Sequence, residues 1–227
     1  MKQVIQIRCK NNKKTQKVEI GSTLFDVFSS FDLKMTHGPV SARVNNKVEG
    51  MHYRVYNSKD VEFLDMTTAS GSRAYTRTLF FVLCKAVQDI YPATDVVIDI
   101  PVSNGFYVDI RLGRPVVDED VNIIRCRMQE IIDARMPIRR FTVPTEDAIT
   151  LFQEKGDVEK VKLLKTSGSI YTTYYKIGEY VDYYYGTLLT NTSQLYLFGL
   201  EKYYDGMLLR IPSLKNPDEL GEMTRQD

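Results

Sequence analysis

The sequence has no tryptophan, two histidines, three cysteines and a formal net charge of only +1 in 227 residues. Each scarcity excludes something. Both histidines, His37 and His52, fall in the first quarter of the chain, so no imidazole is available beyond it for acid–base or metal chemistry. Cys9, Cys84 and Cys126 are odd in number and widely spaced, which argues against a disulfide framework or a cysteine zinc site and for buried free thiols. Near-neutrality argues against strong non-specific binding to polyanions. The basic excess lies at the N-terminus, where residues 1–65 hold 11 Lys/Arg against 7 Asp/Glu, a mild asymmetry. No apolar run approaches the length of a membrane span, so no membrane partner is expected. The opening MKQVIQIRCK lacks the apolar core and cleavage site of a secretion signal, and the expected location is cytoplasmic.

What is present is a globular pattern, 43% hydrophobic and 26% charged, long enough for one or two cores. Residues 4–8 and 16–20 alternate on either side of Lys10–Lys14, which reads as a hairpin with a basic tip. Thr23 and Asp26 form a capping signal ahead of Leu24, Val27, Phe28 and Phe31, so a short helix follows. Strands are then predicted at 40–44, 53–56 and 61–64, with an Asn45-Asn46 turn after the first. The order is ββαββ, compact and β-grasp-like. Leu79, Phe80, Leu83, Val87 and Ile90 recur at helical spacing up to Pro92, giving a helix of about four turns. Residues 96–102 and 106–112 flank Asn104-Gly105, a hairpin signal because both turn positions favour positive φ. Asp118 is expected to cap a helix through Val121, Ile124, Met128 and Ile131. A strand over 138–143 follows, and then a helix capped by Thr145. From Ile170 onward, tyrosine-rich segments separated by Gly186, Gly199 and Asp205-Gly206 read as antiparallel sheet. The fold class is therefore α+β. The residues after Pro212 are polar and lack periodicity, and an ending at Asp227 looks like a cut rather than a natural terminus.

Several of these segments carry a family likeness. Residues 1–66 resemble a TGS domain, the β-grasp module at the N-terminus of threonyl-tRNA synthetases, and residues 67–212 resemble the editing domain of the same enzymes, with 213–227 as a tail or linker. Ala86–Pro92, then Asn104-Gly-Phe-Tyr-Val-Asp109, match a helix ending in an aromatic-Pro pair and a hairpin reading NGFYYD. Glu179-Tyr-Val-Asp182 followed by Gly186 matches the family's EYVD stretch. The family's editing site uses HxxxH on the long helix and CxxxH after EYVD, because zinc needs imidazole or thiolate donors and i, i+4 spacing puts two on one helical face. Those four positions fall on Arg77, Phe81, Tyr184 and Leu188 here. All four ligands are replaced, and neither a metal site nor a catalytic residue is expected.

This erosion is similar to the N-terminal half of bacterial uridine (nucleoside) kinases. The resemblance implies a non-catalytic accessory region, with an ATP- and Mg²⁺-dependent P-loop domain of the same polypeptide as its partner beyond Asp227. No cofactor is implied for the chain itself, which contains no Gly-Lys dipeptide and hence no GxxxxGK[ST]. The alternative is an RNA- or tRNA-binding or trans-editing module related to threonyl-tRNA synthetase. Two sites follow. Lys10, Lys13, Lys14 and Lys17 either contact RNA phosphates or form a solvated hairpin. Arg77, Tyr107, Asp109, Asp182 and Tyr184 either line a pocket for a small-molecule regulator or fill a dead cleft, with Arg77 paired to an aspartate.

Overall fold

The computed structural model describes residues 3–102 and 105–221. It divides into two compact units, one drawn from Met1–Met136 and Thr187–Asp227, the other from Pro137–Gly186.

The first unit opens with a hairpin, β1 (Val4–Cys9) and β2 (Thr15–Glu19), closed by the Cys9 N–H donating to Lys14 O at 2.8 Å. Lys13 turns the tip at φ +59°. α1 (Leu24–Ser30) starts in a capping box: Asp26 Oδ2 accepts from the Thr23 N–H at 2.9 Å, and the Asp26 N–H donates to Thr23 Oγ1. β3 (Ser41–Val44) turns through Asn45 and Asn46, both at positive φ, into β4 (Lys47–Glu49), and β5 (Lys59–Leu64) returns to the centre. The sheet order is β2-β1-β5-β3-β4, with β1 and β5 parallel. Ile7, Cys9, Leu24, Val27, Val61 and Phe63 form its core. Two expectations need correction. Lys47–Glu49 adds a strand, and residues 53–56 are not one: Tyr53 O, Val55 N and Val55 O bond the loop ahead of α1 instead, leaving only a bridge between Arg54 and Thr23.

α2 (Ala69–Ile90) runs 22 residues, two turns longer than the apolar spacing indicated. Its first turns are buried through small and polar residues, Gly71, Ser72, Ala74, Thr76 and Thr78, which carry no hydrophobic periodicity. β6 (Val96–Val102) and β7 (Gly105–Ile110) follow. Asn104 lies outside the described residues. Gly105 belongs to the strand, opposite Arg210, and glycine is needed there because a β-carbon would lie 2.7 Å from Leu209 O. α3 (Asp118–Asp133) is not capped by Asp118: Val117 occupies the cap position, and Asp120 reaches back to accept from its N–H at 2.9 Å. Cys126 is exposed on this helix, against the expectation of three buried thiols. All three cysteines are free.

Asp120 is buried, yet it accepts two bonds from Arg114, at 2.6 and 2.9 Å, and one from the Tyr91 hydroxyl at 2.6 Å. The Arg114 guanidinium, helped by Tyr91 and the Val117 N–H, outweighs burial and holds the carboxyl well below the usual carboxylate range. A depressed folded pKa stabilises fully above the ordinary aspartate value, and the contribution is lost as pH falls through the folded value. Asp120→Asn should therefore cost about 2 kcal/mol at pH 7 and flatten the loss of stability below about pH 4. Urea denaturation at pH 7 and pH 3 reads both effects.

The second unit contains β8 (Arg139–Pro144), α4 (Thr145–Glu154), α5 (Val158–Thr166), β9 (Tyr171–Ile177) and β10 (Tyr180–Tyr183). Its antiparallel sheet has the order β10-β9-β8, and Ala148, Phe152 and Leu164 from the helices pack on Val143, Tyr174 and Val181. Thr145 does not cap α4. It is the first helical residue, and its hydroxyl donates to Ser169 O at 2.6 Å. α5 was not expected.

The chain then completes the first unit. β11 (Gly199–Tyr203) and β12 (Gly206–Arg210) join β6 and β7 in the antiparallel order β11-β12-β7-β6. Residues 211–221 fold back on themselves, with the Ser213 N–H on Glu219 O and the Gly221 N–H on Ile211 O. Tyr196 donates to Pro217 O and stacks on His37 with ring centres 3.5 Å apart. His37 Nε2 lies 2.6 Å from Asp218 Oδ1. Among the described residues, no helix is long and apolar enough to cross a membrane.

Candidate functional site

The site positions implied by the sequence fall in both units. In the first unit, Arg77 donates from Nε to Thr187 O at 3.2 Å, and the neighbouring Thr78 hydroxyl accepts the Leu189 N–H at 2.9 Å while donating to Ala74 O. These two bonds pin residues 187–189 to α2. Leu188, between them, is fully buried, as is Phe81 one helical turn beyond Arg77. Where the resemblance assigns two metal ligands, the first unit therefore holds core hydrocarbon. At a third position it holds a half-buried guanidinium bonded to a backbone carbonyl. Tyr184, the fourth, lies in the second unit and is partly buried. Among the described residues, no three His, Cys, Asp or Glu side chains are grouped closely enough to hold a metal ion.

Tyr107 and Asp109 project from the same side of β7, opposite to Val108 and Ile110, which are buried. The Tyr107 ring lies 6.2 Å from that of Tyr203, which in turn contacts Tyr204 at 4.7 Å. Burial, then the negative charges of Asp109, Asp205 and Asp99, push the Tyr107 hydroxyl pKa up. This group is a weakly acidic phenol among carboxylates. It suits hydrogen-bond donation rather than proton abstraction.

Asp182, in the second unit, is held by three donors. Its carboxylate accepts from Lys160 Nζ at 2.9 Å, from the Tyr180 hydroxyl at 3.1 Å and from the Tyr183 N–H at 2.7 Å. Lys160 also contacts Asp157 at 2.7 Å and lies 5.9 Å from the centre of the Phe152 ring. Burial disfavours its charge, but the field of Asp182 and the hydrogen bonds to both carboxylates raise its pKa nonetheless. Sequence reasoning missed this lysine. The i, i+3 pairing with Asp157 was visible, whereas the contact with Asp182 joins α5 to β10 across 22 positions of sequence.

The four basic candidates are spread along one hairpin. Lys10, Lys13 and Lys14 belong to the tip, where Lys10 Nζ bonds Asn46 Oδ1 at 3.3 Å and so draws the neighbouring Asn45–Lys47 turn to the same end. Lys17 lies within β2, opposite Gln6. Beside the tip a polar groove of about 350 Å³ is lined by Gln6, Arg8, Thr15, Asn45, Ser58, Lys59 and Asp60.

Taken together, this is an α+β chain in which the four positions that the sequence resemblance assigns to metal ligands hold Arg77, Phe81, Tyr184 and Leu188. No family model matches it. Among curated proteins it is similar to the threonine–tRNA ligase of Acetivibrio thermocellus, with 29% identity over 181 residues, covering 79% of this chain and 28% of the relative. It is likewise similar to the threonine–tRNA ligase of Clostridium kluyveri, at 28% over 193 residues, covering 84% and 30%, and to that of Clostridioides difficile, at 28% over 174 residues, covering 76% and 27%. The chain is thus a threonyl-tRNA-synthetase-like region. It spans less than a third of the length of these relatives.

Proposed function

We propose that this chain is an RNA-binding module related to the editing region of threonyl-tRNA synthetases, one that has lost metal-dependent hydrolysis. The observation that carries the reading is the pairing of likeness and loss: similarity to threonine–tRNA ligases over about four-fifths of the chain, with Phe81 and Leu188 fully buried at positions to which the motif resemblance assigns metal ligands. A buried phenyl and a buried isobutyl group offer no lone pair, so no zinc-polarised water forms there. What remains is a scaffold that presents a basic hairpin, Lys10, Lys13, Lys14 and Lys17, to phosphates.

The reading predicts salt-sensitive association with tRNA, measured by fluorescence anisotropy. Lys13→Glu/Lys14→Glu should weaken it roughly ten-fold and reduce the salt slope. Aminoacyl-tRNA should not be deacylated, with or without added zinc. No association with tRNA at low salt would overturn the reading.

A second reading rests on the ligand loss alone. In it the chain is the accessory region of a uridine (nucleoside) kinase, cytoplasmic, with ATP and Mg²⁺ bound by a following domain of the same polypeptide and a small-molecule regulator near Arg77, Tyr107 and Asp109. The relatives give it no support. ATP-dependent phosphorylation of uridine by the product of the complete gene would establish it.

A further inference from the structure

We infer that the polar groove beside the hairpin is a subsite for a ribose-phosphate unit. The inference deepens the RNA-binding reading above and rests on it only for the source of the ligand.

Arg8 and Asp60 are register partners on the parallel β1 and β5, close enough in principle to neutralise each other. They do not. Among the described residues neither makes an ion pair, and the Asp60 backbone N–H is already taken by Asn45 Oδ1 at 3.0 Å. Two opposite charges are therefore held side by side in one depression of about 350 Å³, each open to a third party. Lys59, in the same groove, also lacks an ion-pair partner among the described residues.

This mixture is poorly suited to a bare anion, which Asp60 repels, and poorly suited to an apolar ligand. It suits a group that combines an anion with hydroxyls. A phosphodiester oxygen takes its charged donor from Arg8, with Thr15 and Gln6 adding neutral donors from the same groove. A ribose hydroxyl donates to the Asp60 carboxylate and accepts from Ser58 or Asn45, the dual role by which a protein tells RNA from DNA. The volume lies at the lower end of the range typical of ligand sites. Position supports the same ligand. The groove shares Thr15 and Asn45 with the margins of the basic tip and the Asn45–Lys47 turn, so a strand held by Lys13 and Lys14 reaches it without a detour.

The test uses the whole chain and three probes: a single-stranded RNA of about ten nucleotides, the DNA of the same sequence, and uridine 5′-monophosphate followed by amide NMR shifts. Arg8→Ala should weaken RNA binding about ten-fold and lower the salt slope by about one. Asp60→Ala should erase the preference for RNA over DNA, largely by improving binding to DNA. Uridine 5′-monophosphate should shift the amides of Gln6, Arg8 and Asp60. If Lys13→Glu/Lys14→Glu abolishes RNA binding while Arg8→Ala and Asp60→Ala leave affinity and RNA preference unchanged, the subsite is overturned and the RNA reading stands. If RNA does not bind but the mononucleotide shifts those amides, the subsite stands and the RNA reading falls. If no probe binds, both fall.

Discussion

Gly71→Ala should destabilise the first unit by about 3 kcal/mol, the upper end of what overpacking usually costs. Gly71 sits in the first turn of α2, where a β-carbon would lie 1.8 Å from Asp65 O and 2.7 Å from both Asp65 C and Val40 Cγ2. The side chain of Val40 could turn away. The Asp65 carbonyl cannot, because it accepts both the Thr68 N–H at 3.2 Å and the Thr68 hydroxyl at 2.9 Å, and the Thr68 oxygen in turn accepts the Gly71 N–H at 3.1 Å. The cap that starts the helix and the backbone that blocks residue 71 are thus the same few atoms. Relief of the clash requires either losing the cap or lifting the helix end from β5. A urea titration followed by far-ultraviolet circular dichroism measures the cost. Gly113→Ala supplies the contrast. Gly113 has φ +74° with nothing near its missing β-carbon, so only backbone strain of about 1 kcal/mol is expected there. Equal effects at the two positions would mean that the contact with Asp65 is not what makes glycine necessary.

That pair of glycines also marks what the sequence makes legible. Turn chemistry is local, so the Asn45-Asn46 turn and the Thr23–Asp26 capping box could be placed from a few residues each, and both are present. Helices announced by apolar spacing were found with the right core: Leu79, Leu83 and Val87 on α2, Ile124 and Met128 on α3. What escaped was burial achieved without hydrocarbon. The first turns of α2 sink Gly71, Ser72, Thr76 and Thr78 into the unit because close backbone approach and side-chain hydrogen bonds replace apolar contact. No periodicity reveals that. α5 escaped for a related reason, since Leu164 is its only fully buried residue and its cap, Asp157, follows a glycine that reads as loop. At the positions the resemblance assigns to metal ligands, the absence of imidazole and thiolate was legible from residue identity alone. That Phe81 and Leu188 lie in the core, and that Arg77 bonds the carbonyl of residue 187, depended on contacts between segments far apart in sequence, 110 positions in the case of Arg77.

Lys160 and Asp182 extend the argument to the second unit, where a contact of the same long-range kind carries charge. Asp182 is nearly fully buried and Lys160 largely so. Removing one partner strands the other, and the usual cost of such a break is about 3–5 kcal/mol. Asp182→Ala leaves the ammonium with Asp157 alone. Lys160→Met leaves the carboxylate with the Tyr180 hydroxyl and the Tyr183 N–H, which satisfy two lone pairs but no charge. Asp182→Ala should therefore fall at the lower edge of that range and Lys160→Met above it. The double variant Lys160→Met/Asp182→Ala, which removes both buried charges of the pair together, should be less destabilised than the two single losses added, by at least about 2 kcal/mol. Strict additivity would show that the two charges do not depend on each other. Alkaline titration provides an independent reading. The pKa of Lys160 is raised in the folded state, so its contribution is complete below the ordinary lysine value of about 10.4 and is lost as pH rises past it. The wild type should lose stability there, and Lys160→Met should lose less. With no tryptophan in the chain and tyrosines ionising in the same range, far-ultraviolet circular dichroism is the appropriate probe for that comparison.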